Sequence, residues 1–472
     1  MYQFPAIAPF MVIFTTIVVL ILVIPFYRNY KLIASISLVG FFIAFYSLFN
    51  HSEGLPFWAK DMIFISGFSI YFIQLILFVA MLINIISIGY FGKVEEEKEE
   101  YYLFLQVAVL GTITMIASQH FAVFFIGLEL LSIPLYVMIG YIRKNPANIE
   151  ASIKYLILAA ASTSFFLFGI ALVYLVTGTM NIFQVLSYIN STQPSYLCLI
   201  GIGMILAALG FKLSLSPFHM WTPDVYQGAS SPVTAFLATV SKGGAFALLI
   251  NLFANIYLQS GRTIVIALIV VSGLSMFIGN LLALRQNSLK RLLACSSIAH
   301  LGYLLVPIII GGLTGIRSAI FYLTAYFITT IGAFTVIAIL SNKGKEIDSI
   351  DDFKGLYSKN KSLAIVLSVM MFSFAGIPLT AGFMSKFYIL LIGVVNAQWL
   401  LLWLLIINSA IGLYYYLKVV FYILKPLPKI QNNKSVILPF GSAIVLSISL
   451  LIVIWIGVAP NGLLKIIYLF YK

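Results

Sequence analysis

Charged side chains are scarce in this chain. They make up 9% of 472 residues, with only 14 acids against 27 lysines and arginines. Cysteine is scarcer still: Cys198 and Cys295 stand far apart inside apolar runs and form no CxxC pair. An iron–sulfur cluster, a zinc site and a disulfide framework are therefore not expected, and both thiols read as small buried hydrophobes. No GxGxxG follows a strand and no GxxxxGK[ST] occurs, so nucleotide binding has no support, and any redox cofactor is expected on another polypeptide. The four histidines, His51, His120, His219 and His300, lack metal-ligand spacing. The first apolar run, residues 10–26, has neither a cationic flank nor a small-residue cleavage pattern, and reads as a retained span.

What fills the chain is apolar surface. Hydrophobic residues make up 62% of it, and the mean hydropathy is +1.08. A soluble domain needs polar groups to cover itself, whereas an uncharged run of about 18 residues or more reads as a bilayer-spanning helix. Such runs lie at 6–26, 31–50, 66–91, 101–119, 121–142, 152–177, 195–229, 232–257, 263–284, 290–310, 314–340, 362–395, 398–424 and 437–458. The expectation is one all-α polytopic membrane domain of about fourteen transmembrane helices.

Two of these runs, 195–229 and 362–395, are too long for a simple crossing. Each holds proline among small or polar residues, Leu213–Pro217 in one and Gly376–Gly382 in the other. Pro217 and Pro378 remove backbone donors, which is tolerated at membrane depth only where protein or water re-satisfies the freed groups. Broken helices at matching places in two halves point to two inverted five-helix repeats with an ion path between them. On this reading 1–100 holds three spans, 101–257 the first repeat, 263–424 the second and 437–458 the last span.

Loop charges give the orientation. One set of loops holds Arg28, Lys31, Lys93, Lys98, Arg143, Lys144, Arg285, Lys290, Arg291, Lys343, Lys345, Lys354, Lys359, Lys361, Lys425, Lys429 and Lys434. The other set, with both termini, holds only Lys60, Arg262, Arg317, Lys465 and Lys472. The first set is expected in the cytoplasm and both termini on the other side. The net charge of +13 then follows from topology and calls for no nucleic acid. The acidic run Glu95–Glu100 reads as a solvated cytoplasmic loop, with a docking surface as the alternative.

A short list of charges remains inside the apolar runs: Glu129, Lys212, Lys242 and Lys386, with Lys154 and Lys418 nearer helix ends. An ionised side chain at the bilayer centre costs about 2.5–3.5 kcal/mol on insertion scales, so four amount to roughly 10 kcal/mol. Such residues pair, face the bundle interior or line water, and they mark ion or proton routes. Burial disfavours the charged form of a lysine and a nearby carboxylate restores it. At about 4 Å and an effective dielectric near 20 such a pair is worth about 4 kcal/mol, enough to gate a proton. Lys418 reads as snorkelling to an interface. Lys154 is either a relay member or the i,i+4 partner of Glu150. His300, near the middle of its span, is the histidine best placed for a relay, and a satisfied core histidine is the alternative. His51 and His120 read as loop and interfacial residues.

At these residues the sequence resembles a known family. Gly127–Tyr136 around Glu129, the stretch from Gly210 through Lys212 and Ser216-Pro217-Phe218-His219-Met220-Trp221-Thr222-Pro223-Asp224-Val225-Tyr226 to Ser241-Lys242, Ser296–Tyr303 around His300, and Gly376-Ile377-Pro378 followed by Gly382-Phe383 and Lys386 are similar to the antiporter-like membrane subunits of respiratory complex I. Residues 100 to 425 carry the resemblance. NuoM-like relatives carry glutamate where this chain has Lys386, and NuoL-like relatives add a long lateral helix after the last span. Both differences point to the N-type branch. The resemblance implies a proton-translocating subunit of a bacterial inner-membrane NADH–quinone oxidoreductase. In it Glu129 pairs with Lys212 or Lys154, Lys242 bridges toward the second half, and Lys386 is the terminal donor or acceptor. It also implies NuoM-like and NuoK/NuoJ-like neighbours, with FMN, iron–sulfur clusters and quinone on partner subunits and no cofactor on this chain. A subunit of an Mrp-type cation/proton antiporter and a passive scaffold are the alternatives.

Overall fold

The computed structural model describes residues 4–49, 56–59, 61–94, 96–191, 194–253, 262–341, 346–426 and 438–470. His51, Lys60, Glu95, Lys343, Lys345, Lys429, Lys434 and Lys472, singled out above, lie outside them. The described chain is almost all helix. Its first part runs α1 (Phe4–Val23), α2 (Tyr30–Tyr46), α3 (Gly67–Phe91), α4 (Glu99–Ala117), α5 (Phe121–Ile139), α6 (Pro146–Thr177), α7 (Ile182–Ser191), α8 (Tyr196–Leu213), α9 (Trp221–Gly228), α10 (Ser231–Ala238) and α11 (Val240–Phe253). Then follow α12 (Arg262–Leu284), α13 (Leu289–Ile310), α14 (Gly312–Leu340), α15 (Leu356–Lys359), α16 (Lys361–Ala375), α17 (Ala381–Val395), α18 (Trp399–Leu424), α19 (Phe440–Val458) and α20 (Pro460–Phe470). Among the described residues twelve helices are long and apolar enough to cross a membrane, the run Ser231–Leu252 counting as one. Three shorter apolar helices, α2, α16 and α17, account for the other two expected spans, 31–50 and 362–395.

Local sequence sets the helix ends. Asn29, Ser66, Asn145, Ser195, Ser288 and Asn360 each accept a backbone N–H of the first turn of the helix that follows. Such caps satisfy donors that a helix start leaves free. Both expected breaks are present. α8 stops at Leu213 with Ser214 left-handed, and Pro217 lies in the turn before α9; α16 stops at Ala375 with Gly376 left-handed, and Pro378 lies before α17. A third interruption at Thr239, between α10 and α11, was not foreseen. It lies three residues before Lys242, and no proline or glycine marks it.

The centre of the molecule is α10, α11, α13 and α14, buried almost all round, while α1, α6, α12, α18 and α19 bury one stripe and turn an apolar face outward. A helix that is apolar all round belongs in a core, and one with an exposed apolar stripe belongs against lipid or a neighbouring membrane subunit.

The sequence reading missed three elements at one end of the bundle: a hairpin of β1 (Phe57–Ala59) and β2 (Ile63–Ile65), and the helices α7 and α20. Backbone bonds stitch this end together, Gln119 donating to Met62 at 2.8 Å and Ile182 to Gln119 at 2.9 Å. At the other end the cationic loops meet. Lys93 donates to the carbonyls of Ile339 and Ser341 at 2.8 and 2.9 Å, and Arg28 pairs with Glu97. Burial lowers the Lys93 ammonium from its ordinary range against the attraction of Glu346. The acidic run is only in part the solvated loop expected: Glu97 stays exposed, while Glu96, Glu99 and Glu100 are engaged. Glu96 accepts from the backbone of Arg143 and Lys144, Glu99 is buried in the first turn of α4, and Glu100 accepts from Tyr141. Acids in a helix first turn oppose the N-terminal dipole favourably.

Candidate functional site: a line of buried lysines

Glu129 stands on α5, half-buried, and accepts a hydrogen bond from Thr163 of α6 at 3.2 Å. The helix carrying it is pressed against α4. A Cβ on Gly111 would lie 2.4 Å from the Leu131 nitrogen, and one on Gly127 would lie 2.9 Å from the Gly111 carbonyl oxygen. Only glycine permits that approach, and it fixes α5 two residues from Glu129.

Lys212 ends α8 and is 4% exposed. Its ammonium donates to Ser132 at 2.8 Å and to the Tyr155 hydroxyl at 3.1 Å. Ser132 lies one turn from Glu129 on α5. Ser132, which receives Lys212, and Thr163, which donates to Glu129, line one small cavity with Lys212. Among the described residues no ion pair joins Glu129 to Lys212, and the expected pairing is not made in this structure.

Lys154 was the other partner offered for Glu129. The structure puts it elsewhere: its ammonium is 2.7 Å from Glu150 and 3.0 Å from Asp224, with 43% of its side chain exposed. Asp224 also receives Arg291 at 2.7 Å. Lys154 therefore belongs to a half-exposed ion cluster at the cationic end of the bundle.

Lys242, on α11, is fully buried. It donates to Ser297 of α13 at 2.5 Å, and Tyr326 donates to the same Ser297 oxygen at 2.7 Å. His300 sits one turn along α13 from Ser297, its ring 5.4 Å from that of Tyr326. Its Nδ1 pairs with the Tyr322 hydroxyl at 2.7 Å and its Nε2 with that of Tyr416 at 3.0 Å. The neutral ring accepts at one nitrogen and donates at the other, and both partners are hydroxyls able to do either.

Lys386 lies on α17, the second half of the broken span, and is 8% exposed. It reaches back over the break to donate to the carbonyls of Phe374 and Ala375 at 3.1 and 3.0 Å. Those carbonyls end α16, where the helix dipole is negative and partners are missing. The Lys386 ammonium lies 5.4 Å from the ring of Tyr303, whose hydroxyl receives the Asn280 amide at 2.9 Å. His219 is buried in the turn between α8 and α9, His120 caps α5, and Lys418 is half-buried on α18.

The structure thus buries Lys212, Lys242, His300 and Lys386 in the bundle interior, hydroxyls receiving or meeting the first three and backbone carbonyls the last. Sequence reading found the charged members and missed Tyr155, Thr163, Tyr322, Tyr326 and Tyr416. In a chain holding 27 tyrosines and 39 phenylalanines, a tyrosine at mid-membrane depth carries no signal of its own. Cys198 and Cys295 are both buried, on α8 and α13.

Comparison with known proteins places the chain in a family. Residues 118–412 match the family model described as NADH:quinone oxidoreductase/Mrp antiporter, TM. The chain is 39% identical over 463 residues to NADH-quinone oxidoreductase subunit N of Methylococcus capsulatus, covering 97% of this chain and 93% of that one. It superposes with a TM-score of 0.83 at 31% identity on a chain of respiratory complex I from Thermus thermophilus, covering 97% and 98% of the two. A chain of the Mrp complex from Dietzia shares the fold, with a TM-score of 0.84 at 19% identity over 98% of this chain and 96% of that one.

Proposed function

Since the chain belongs to the NADH:quinone oxidoreductase/Mrp antiporter membrane-subunit family, within the subunit N group of complex I, we propose that it carries protons through the Glu129–Lys212–Lys242–His300–Lys386 line while its partner subunits reduce quinone. One observation carries this reading. Lys212, Lys242 and Lys386 are buried in the bundle, and among the described residues hydroxyls and carbonyls, not carboxylates, receive their ammonium groups. A purely structural chain has no reason to accept that desolvation. A relay has one, because a lysine held by neutral groups takes and releases a proton without breaking a strong ion pair.

The hydroxyl contacts supply the steps between ionisable groups. Serine and tyrosine hydroxyls both donate and accept, so each can pass a proton on as it receives one. The broken helices provide the irregular backbone that water-lined paths require at membrane depth, and Lys386 uses one such break as its docking point. We further propose that the two five-helix units are inverted repeats, that the cationic loops face the cytoplasm and that both termini lie on the other side of a bacterial inner membrane. FMN, iron–sulfur clusters and quinone are assigned to partner subunits, and no redox centre to this chain, whose two separated thiols offer no cluster ligand set.

The test is NADH-driven proton pumping in membranes carrying Lys212→Ala. The assembled complex is expected to lose pumping. Wild-type pumping by an assembled variant would overturn the relay.

A further inference from the structure

The cationic end of the bundle holds a buried ion pair that the relay does not use. Lys290 starts α13 with a side chain 0% exposed, and its ammonium lies 3.5 Å from the Glu346 carboxylate, 11% exposed. Glu346 stands on the linker between α14 and α15. Four elements converge on it: besides Lys290 of α13, it accepts from the Tyr90 hydroxyl of the α3 end at 2.5 Å, from the Ser341 hydroxyl beyond α14 at 3.3 Å, and from both the backbone nitrogen (3.0 Å) and the hydroxyl of Ser231 on α10.

We propose that Glu346 is a positioning residue for Lys242, fixing the register of α10–α11 against α13. α10 begins at Ser231, and Ser230 before it makes no side-chain cap. Glu346 supplies the cap from a distant part of the chain, and its negative charge meets the positive end of the helix dipole. Lys290 does the complementary work on the preceding helix. It donates to the carbonyls of Gln227 and Ala229 at 3.1 and 2.5 Å, the free end of α9. The ion pair thus lies between the end of one helix and the start of the next, each charge against the dipole of opposite sign. Asp348, two residues along the same linker, receives Gln227 at 2.6 Å and the Ser288 hydroxyl.

The geometry connects this clamp to Lys242. The helices α10–α11 and α13 touch at two levels, Ser231 through Glu346 to Lys290 at one and Lys242 on Ser297 at the other. Lys290 and Ser297 are seven residues apart on α13, so the two contacts are about 10 Å apart along the axis and on one face. Between them α10 passes through its irregular turn at Thr239, where the backbone ladder is interrupted and a shift is easiest. Without the clamp, the start of α10 loses its cap and its tie to α13, and Lys242 loses its fixed distance to Ser297.

The inference rests on the relay proposed above, and its test separates the two. NADH-driven pumping per assembled complex is measured for Glu346→Ala, Glu346→Gln and Ser297→Ala, for the double variant Glu346→Ala/Ser297→Ala, and for Lys212→Ala as the relay control. Glu346→Ala is expected to lose about tenfold, the scale of one lost hydrogen bond to a charged group. Glu346→Gln, whose amide oxygen still accepts from Ser231 but which no longer neutralises Lys290, is expected to fall between Glu346→Ala and wild type. The double variant is expected to match Ser297→Ala alone, because both changes act on the same contact. Multiplying losses would mean that Glu346 acts elsewhere and would overturn the inference, as would wild-type pumping in Glu346→Ala. Should Glu346→Ala not assemble, Ser231→Ala removes only one of the bonds. It is expected to lose activity, and its double with Ser297→Ala is expected to match Ser297→Ala alone; wild-type pumping there is equally fatal. Normal pumping by Lys212→Ala would sink the relay itself, whereas a dead Lys212→Ala beside a normal Glu346→Ala would sink only this inference.

Discussion

Gly376→Ala separates the Lys386 contact from the backbone strain that any residue suffers at that place. Gly376 is left-handed, φ +83°, at the end of α16. An alanine there costs about 1–2 kcal/mol in backbone energy alone. Its Cβ would also lie 3.0 Å from Lys386 Cδ and 3.3 Å from Nζ. The backbone is held on both sides of the break, so the flexible lysine is the part that gives. Displacing its ammonium by a few tenths of an ångström weakens its bonds to Phe374 and Ala375. A hydrogen bond to a charged group contributes about 1.5–3 kcal/mol, so the relay step through Lys386 is expected to slow by roughly tenfold or more. Gly178→Ala is the control. That residue ends α6 at φ +69° with nothing within 4 Å of the would-be Cβ. It carries the same backbone cost and no lysine contact. The assay is NADH-driven acidification of membrane vesicles, normalised to assembled complex. Gly376→Ala is expected to fall well below Gly178→Ala, and equal activity in the two would refute the role given to Lys386.

Tyr155→Phe, which deletes one of two hydroxyls on Lys212 and leaves Ser132, is expected to lower pumping severalfold without affecting assembly on a native gel, on the scale of one hydrogen bond. Asp224→Ala leaves Lys154 and Arg291 half-exposed to solvent, and an exposed ion pair contributes at most about 1 kcal/mol. Both Asp224→Ala and Lys154→Ala are therefore expected to keep at least about half of wild-type pumping in the same vesicle assay. Gly127→Ala forces a Cβ to within 2.9 Å of the α4 backbone, which cannot move aside. It is expected to destabilise the chain by about 1–3 kcal/mol, read as a lower thermal midpoint or lost assembly.

The parts of the fold legible in the sequence are those with a strong one-dimensional signal. Apolar length gave the spans, and proline with small residues gave the breaks before Pro217 and Pro378. The break at Thr239 was not legible, because it shows neither proline nor glycine. Nor were β1–β2, α7 and α20, which lie at one end of the bundle where apolar run length says nothing. Within the site, a charge in an apolar run announces itself, so Glu129, Lys212, Lys242 and Lys386 were found. Their pairing was not, since it depends on which helices meet. Lys154 is held by Glu150 four residues before it, one of the two readings the sequence offers, whereas Lys290, read from sequence as a loop charge, is wholly buried. The hydroxyls joining the lysines are visible only in three dimensions.

The central claim is that protons pass along the buried lysines, and Lys242 is the link between the two halves of that line. The most direct measurement is the number of protons moved per NADH oxidised by assembled complex carrying Lys242→Ala. This ratio is expected to fall clearly below wild type, and an unchanged ratio would refute the relay.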